Sequence, residues 1–167
     1  MDVMIRRAQP EDAGAIIAYM NTVGSETDNL SYGNEGFPIS QAEEADLIRE
    51  KNKSPRNALF LAVKGKKIVG KASIEALTRR MAHRAEFGIS VVKAEWGKGT
   101  GSKLLETIVQ HAKLQQIEII ELEVRSDNER AIQLYKKYGF VKIGVYPKYF
   151  KMSDNSYVDF DLMNLYL

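Results

Sequence analysis

The segment Val91-Val92-Lys93-Ala94-Glu95-Trp96-Gly97-Lys98-Gly99-Thr100-Gly101-Ser102 restricts this chain more than any other. An extended run feeds a turn with glycines at 97, 99 and 101. The turn opens onto an amphipathic helix carrying Leu104, Leu105, Ile108, Val109 and Ala112 at helical spacing. Glycine lets a backbone turn tightly and approach a ligand without side-chain obstruction. The helix aims its unpaired N–H groups, and the positive end of its dipole, back at the turn. Such a unit binds an anion, most often a phosphate or pyrophosphate. The other reading is a tight turn whose glycines serve sterics alone. The pattern Gly-x-Gly-x-Gly is not the dinucleotide fingerprint, because Ser102 stands where its third glycine belongs. It is not a Walker A loop either, because no Gly-Lys-Ser/Thr closes it. The surroundings must decide the ligand.

Those surroundings describe one mixed α+β unit. Residues 3–8 are expected to form a strand, and Pro10-Glu11-Asp12 to open a helix that buries Ala13, Ile16, Ile17 and Met20. Residues 24–40 form a long irregular segment, a kind of loop that is often functional. Ser40-Gln41-Ala42-Glu43 is a capping box for a second helix reaching about residue 53. Strands follow at 58–63 and 68–74, joined by a hairpin turn at Lys64-Gly65-Lys66-Lys67, and a further strand covers 83–92. After the glycine-loop helix come a strand at 117–124 and a helix at 128–138 capped by Gly139. A final antiparallel pair, 140–149 and 156–167, turns at Asp154-Asn155. The expected fold is a single, mostly antiparallel twisted sheet of about seven strands, flanked on both faces by about four helices. One domain over residues 1–167 is expected.

Composition excludes several classes. The 24 basic and 22 acidic residues leave a net charge of +2, too balanced to suggest nucleic-acid binding. With no cysteine, there is no disulfide, thiolate metal site or cysteine nucleophile. His83 and His111 lack ligand spacing, so no metal is expected. No apolar run approaches a membrane span, and the first residues lack a signal-peptide layout, so a cytoplasmic protein without a membrane partner is the default expectation.

A second motif settles the resemblance. Asn128-Glu129-Arg130-Ala131-Ile132-Gln133-Leu134-Tyr135-Lys136-Lys137-Tyr138-Gly139-Phe140 matches the Asn-x-x-Ala-x-x-Leu-Tyr-x-x-x-Gly-Phe run of the GNAT superfamily of acyl-CoA-dependent N-acyltransferases. Trp96-Gly97-Lys98-Gly99-Thr100-Gly101 is similar to that family's Arg/Gln-x-x-Gly-x-Gly/Ala loop, with tryptophan replacing the first residue. The chain therefore resembles this family from about residue 57 to its end. The resemblance implies acetyl-CoA as donor, with a binding core at about 83–140 and acceptor-site elements at about 10–56. The backbone of Ile89, Ser90 and Val91 would pair with the pantetheine arm like an added strand. Trp96, Gly97, Lys98, Gly99, Thr100, Gly101 and Ser102 would hold the pyrophosphate, and Asn128 would contact the cofactor, cap its helix, or both.

Tyr135 is the candidate acid. An amine attacking a thioester releases a thiolate that needs a proton or hydrogen-bond donor, and a phenol supplies either. A helix tyrosine with a structural role is the alternative. Glu86 is the candidate base, acting directly or through water. Strand alternation sends Arg84, Glu86, Gly88 and Ser90 to one face and Ala85, Phe87, Ile89 and Val91 to the other. A charge pair of Glu86 with Arg84 or His83 competes with that role, as does a proton path made only of water. Glu26, Tyr32 and Phe37 are expected to line the acceptor site, with Glu75 and the 146–149 stretch opposite. The implied activity is acetyl transfer to a primary amine of a small molecule or peptide by direct attack, since no cysteine can carry an acyl intermediate. A non-catalytic acyl-CoA sensor and a general nucleotide-phosphate binder are the alternatives. Homodimerisation through a sheet edge or the C-terminal strands stays open.

Overall fold

Alternating burial along each strand, and apolar stripes along each helix, set the layers of the protein. The computed structural model describes residues 2–167. In chain order the elements are β1 (Met4–Arg7), α1 (Ala13–Glu26), α2 (Gln41–Lys53), β2 (Ala58–Lys64), β3 (Lys67–Ala76) and β4 (Arg84–Val91). They continue with α3 (Thr100–Leu114), β5 (Ile119–Arg125), α4 (Glu129–Lys137), β6 (Val141–Lys151) and β7 (Tyr157–Tyr166). The strands form one sheet in the order β1-β2-β3-β4-β5-β7-β6. Every neighbouring pair is antiparallel except β4 and β5, which run parallel. The expected α+β architecture, with seven strands and four helices, is the observed one.

Each face of the sheet carries its own core. On one face, Leu104, Leu105 and Ile108 of α3 and Ile132 of α4 pack on Ala72, Ile74, Phe87, Ile120 and Leu122. On the other, Ile16, Met20 and Val23 of α1 and Ile48 of α2 pack on Leu59, Leu61 and Val63. That second core covers only β2 and its neighbourhood. Lys71, Ser73 and Glu75 of β3, and Glu86 and Gly88 of β4, alternate onto the same face beyond it. Gly70 faces the other way: a Cβ there would lie 2.9 Å from Leu104 Cδ1, so glycine lets α3 sit against the sheet.

Several boundaries differ from expectation for local reasons. Pro10–Asp12 form a separate 3-10 turn, with α1 starting at Ala13. Asp12 is held there by the Arg6 guanidinium at 2.7 and 2.8 Å and by the Gln9 N–H at 2.8 Å. The helix runs to Glu26, so the irregular segment begins at 27 rather than 24. Ile17, expected on the buried stripe, is only half-buried, and Tyr19 takes a buried place instead. Edge strand β6 continues past Tyr149 to Lys151. It does so through a register shift between Tyr146 and Phe150 that accommodates Pro147, with Lys148 at φ 54°.

Candidate active site

The single parallel joint shapes the site. β4 and β5 pair only across Arg84–Glu86 and Ile119–Glu121. Both strands run on, to Val91 and Arg125, without pairing to each other. The β4 edge from Phe87 onward therefore presents backbone groups with no strand beside them. A cavity of about 580 Å³ opens along this gap, lined by Ile89, Ser90 and Val91 on one side and by Glu123, Val124 and Arg125 on the other.

The glycine loop closes one end of the cavity. Gly97 and Gly99 have φ of 72° and 84°, where a side chain is strained, yet a Cβ at either would meet nothing within 4 Å. They are required by backbone conformation and leave the loop open to a ligand. Gly101 differs: its Cβ would touch Leu134 Cδ2 at 3.4 Å, so it sets the approach of α3 to α4. Gly97, Gly99, Gly101 and Ser102 line the cavity at the N-terminus of α3. Thr100 is buried beneath that turn and does not line it. Lys98, expected near phosphates, instead lies 3.7 Å from Glu95 Oε1 and is absent from the lining. Glu95 also accepts from Lys64 Nζ at 2.8 Å, and this bond holds its carboxyl below the usual range.

Trp96 does work that the usual Arg or Gln would not. Its indole N–H donates to Val91 O at 2.8 Å, latching the end of β4 to the loop. The Arg130 guanidinium lies 3.7 Å from the Trp96 ring centroid. That cation–π contact fixes a positive charge at the cavity wall beside the loop amides. Asn128 caps α4, its Oδ1 accepting from the Ala131 N–H at 3.4 Å, and it lines the same cavity. Both readings of Asn128 thus have a geometric basis.

Tyr135 faces this cavity from α4. Its ring meets Phe87 edge-on at 6.1 Å and Phe140 at 5.6 Å, which locks its rotamer. Among the described residues its hydroxyl has no hydrogen-bond partner. Burial pushes the phenol well above its ordinary value, so it stays protonated. On the opposite wall, Ser90 Oγ lies 2.9 Å from Tyr19 Oη.

Glu86 lies elsewhere. It is exposed on the other sheet face, in register with Glu75 on β3 and Glu121 on β5, and does not line the cavity that Tyr135 faces. The competing pair with Arg84 does not form, because the Arg84 Nε donates to Glu121 Oε2 at 2.7 Å. Partial burial, then the charges of Glu121, Glu123 and Glu75, push the Glu86 carboxyl above its ordinary value. An unpaired carboxylate with a raised proton affinity is suited to accept a proton from an ammonium.

The three expected acceptor-wall residues separate. Glu26 accepts from the Lys93 N–H at 2.7 Å, so it clasps α1 to the end of β4. Tyr32 packs edge-on against Phe37 at 5.2 Å, and a Cβ on Gly24 would lie 2.8 Å from the Tyr32 ring. Neither Glu26 nor Tyr32 lines the cavity that Tyr135 faces, whereas Phe37 lines a second cavity of about 420 Å³, shared with Glu75. Tyr149 of β6 donates to Glu123 Oε2 at 2.5 Å, an acceptor that pushes the phenol up to about 12. Sequence reasoning missed Arg130, Glu123, Arg125 and the Tyr19–Ser90 pair. Only Arg130 left a trace, as a basic residue in the first turn of the helix at the motif.

Among the described residues there is no cluster of three or more potential metal ligands, and no helix is long and apolar enough to cross a membrane. The half-open parallel joint, the left-handed glycine loop at a helix N-terminus and a cavity-facing phenol together define an acyl-CoA-binding transferase fold. Comparison with known proteins makes this specific. Residues 26–140 match the model of the acetyltransferase (GNAT) family, and the chain belongs to that family. It is 35% identical over 101 residues, 60% of its length and 62% of the relative's, to the N-alpha-acetyltransferase RimI of Mycobacterium tuberculosis. It is 36% identical over 94 residues to the L-amino acid N-acetyltransferase AaaT of Escherichia coli, covering 55% of this chain and 57% of that one. The chain thus matches less than two thirds of the length of these curated relatives. A GNAT acetyltransferase structure from Streptococcus pneumoniae superposes with a TM-score of 0.95 at 30% identity, over 99% of this chain and 100% of that one. A putative acetyltransferase of Salmonella typhimurium, solved with acetyl-CoA, shares the fold at a TM-score of 0.85 and 20% identity, over 100% of this chain and 95% of that one.

Proposed function

We propose that this protein transfers an acetyl group from acetyl-CoA to a primary amine, by direct attack in a ternary complex. The observation that carries the proposal is the unpaired edge of β4, which leads into the Gly97–Ser102 amides with Tyr135 facing the same cavity. The free amides at the start of α3 and the Arg130 guanidinium hold the pyrophosphate. The β4 edge at Ile89–Val91 pairs with the pantetheine arm, which runs toward the gap between β4 and β5. Curated relatives named for N-alpha and L-amino acid acetylation support an amine acceptor.

The chemistry follows from the two faces of the gap. Glu86, directly or through water, takes a proton from the acceptor ammonium on the α1/α2 face. The freed amine nitrogen attacks the thioester carbonyl carbon and a C–N bond forms. A backbone N–H near Ser90 or Val91 steadies the oxyanion. The C–S bond then breaks, Tyr135 gives its hydroxyl proton or a hydrogen bond to the departing thiolate from the α4 face, and the surplus proton on the acylated nitrogen leaves through water, restoring the phenol where it was spent. A Tyr135 that stays protonated suits that task. We also propose that the exposed Val141, Ile143 and Val145 of edge strand β6 mediate a homodimer, a state that sedimentation equilibrium reads directly.

Calorimetry with acetyl-CoA, followed by thiol release with a panel of amines, tests the activity. Binding with acceptor-dependent thiol release is expected. Failure of acetyl-CoA to bind overturns the donor assignment, and binding without release from any amine favours the sensor reading.

A further inference from the structure

We propose that the second cavity is the acceptor subsite and that it selects amines bearing a carboxylate, namely free α-amino acids, through Lys71. This rests on the acyltransferase reading above and names its substrate class.

The cavity of about 420 Å³ lies on the α1/α2 face of β3. Its apolar wall comes from Met20 of α1, Phe37 of the connecting segment, and Leu47 and Ile48 of α2. Lys71, Ser73 and Glu75 come from β3. Two features mark it as built for a charged ligand.

The first is the state of its charges. Lys51 is paired with Glu75 across the wall. Lys71 and Glu44 also line the cavity, yet among the described residues neither side chain has an ion-pair or hydrogen-bond partner. Glu44 is only 6% exposed. Lys71 is half-buried between the sheet and the two helices, so its ammonium has given up part of its water without gaining an acceptor in exchange. Burial accordingly pulls the Lys71 amine below its ordinary value, while Glu44 nearby works to keep it charged. A carboxylate placed on Lys71 supplies the missing partner. An uncharged amide at the same spot, as in a peptide acceptor, supplies far less.

The second is position. Lys71 is the register partner of Ser90, which lines the donor cavity, and Ser73 is the register partner of Gly88. A Cβ on Gly88 would meet only Ser73 Oγ, at 3.5 Å. The sheet surface between Ser90 and Glu86 is therefore bare, and it forms a shallow passage from the Lys71 cavity to the gap between β4 and β5. An amino acid with its carboxylate on Lys71 and its side chain among Met20, Phe37 and Leu47 points its amine across Gly88. There it passes Glu86, the proposed base.

The test uses three matched probes: L-leucine, leucinamide and 3-methylbutylamine. They share a side chain and an amine but differ in the carboxylate. Calorimetry on protein saturated with CoA reads binding without requiring turnover. L-leucine is expected to bind at least tenfold more tightly than either of the others. Lys71→Met should reduce leucine to the level of leucinamide, Lys71→Arg should retain most of the preference, and both should bind acetyl-CoA as the wild type does. Gly88→Val, favourable in a strand and with a Cβ that would meet only Ser73 Oγ at 3.5 Å, should abolish leucine binding while acetyl-CoA affinity stays unchanged. Equal binding of leucine and leucinamide, no leucine binding at all, or a leucine preference that survives Lys71→Met overturns the proposal. The wild-type comparison decides even if a variant fails to fold. Loss of acetyl-CoA binding by the wild type would overturn the donor assignment instead, so the two failures are distinguishable.

Discussion

At the scale of single residues, the proposed acid and the proposed base can be separated by how burial has acted on each. Tyr135→Phe keeps the ring contacts with Phe87 and Phe140, so the melting temperature should hold and acetyl-CoA should bind as before. Loss of the hydroxyl should cut kcat by about 10²–10⁴-fold in a steady-state assay. The Tyr135 phenol is raised, so no alkaline limb from it should show below about pH 10. Glu86 is also raised, and an acid raised by folding carries an extra proton in the folded state. Its contribution to stability is therefore greatest at low pH and declines as pH rises through its folded value. Glu86→Gln should accordingly melt no lower than wild type at neutral pH. It should also remove an acidic limb of kcat/KM that lies above the ordinary carboxylate value of about 4.3. Tyr135 was legible because its motif names its place on a helix. Glu86 was legible as a strand residue, but not as standing on the opposite face from the phenol, because that depends on how two strands part company. Lys71 gave no sign at all: one lysine in an alternating strand is ordinary until α1 and α2 roof it.

Among the elements, the glycine loop and its flanking residues make a separable set of contacts. Gly99→Ala puts a side chain at φ 84° with open space around it, so the penalty is purely backbone, about 1–2 kcal/mol. The same strain re-aims the amides at the start of α3, and acetyl-CoA should bind at least tenfold more weakly by calorimetry. Trp96→Gln restores the common residue of the family loop yet loses the indole bond to Val91 O and the seat of Arg130. We expect it to weaken acetyl-CoA binding rather than improve it. Strand and helix order was readable from periodicity and caps, and the capping box at Ser40–Glu43 forms as expected. The ends were less readable. α1 begins late because Arg6, from a strand six residues upstream, grips Asp12, and no local pattern reports such a contact. The same limit hid the Tyr19–Ser90 bond, which joins residues 71 positions apart.

Over the whole molecule, carboxylates clamp distant parts of the chain. Asp12 is held low by its hydrogen bonds from Arg6, and Glu95 by its bond from Lys64. Carboxyls lowered by folding contribute stability above their unfolded values and lose it as pH falls through the folded ones. These two carboxylates should therefore add a decline in thermal melts below about pH 4. Asp12→Asn should shrink that decline.

The sheet is only partly zipped at its middle: three residue pairs join β4 to β5, and the rest of that seam stands open. One half of the sheet, β1 to β4, meets the other, β5 to β7, across this short stitch and the helices that bridge it. A donor seated in the opening would serve as the missing rungs, so cohesion between the halves depends on what the cell supplies. With acetyl-CoA at a hundred times its dissociation constant, linkage adds about 2.7 kcal/mol to the folded state. Hydrogen exchange along 87–91 and 122–125 should slow accordingly, and a protease should find the seam harder to open. When the acetyl donor runs short, the protein would then lose its substrate and part of its resistance to degradation together.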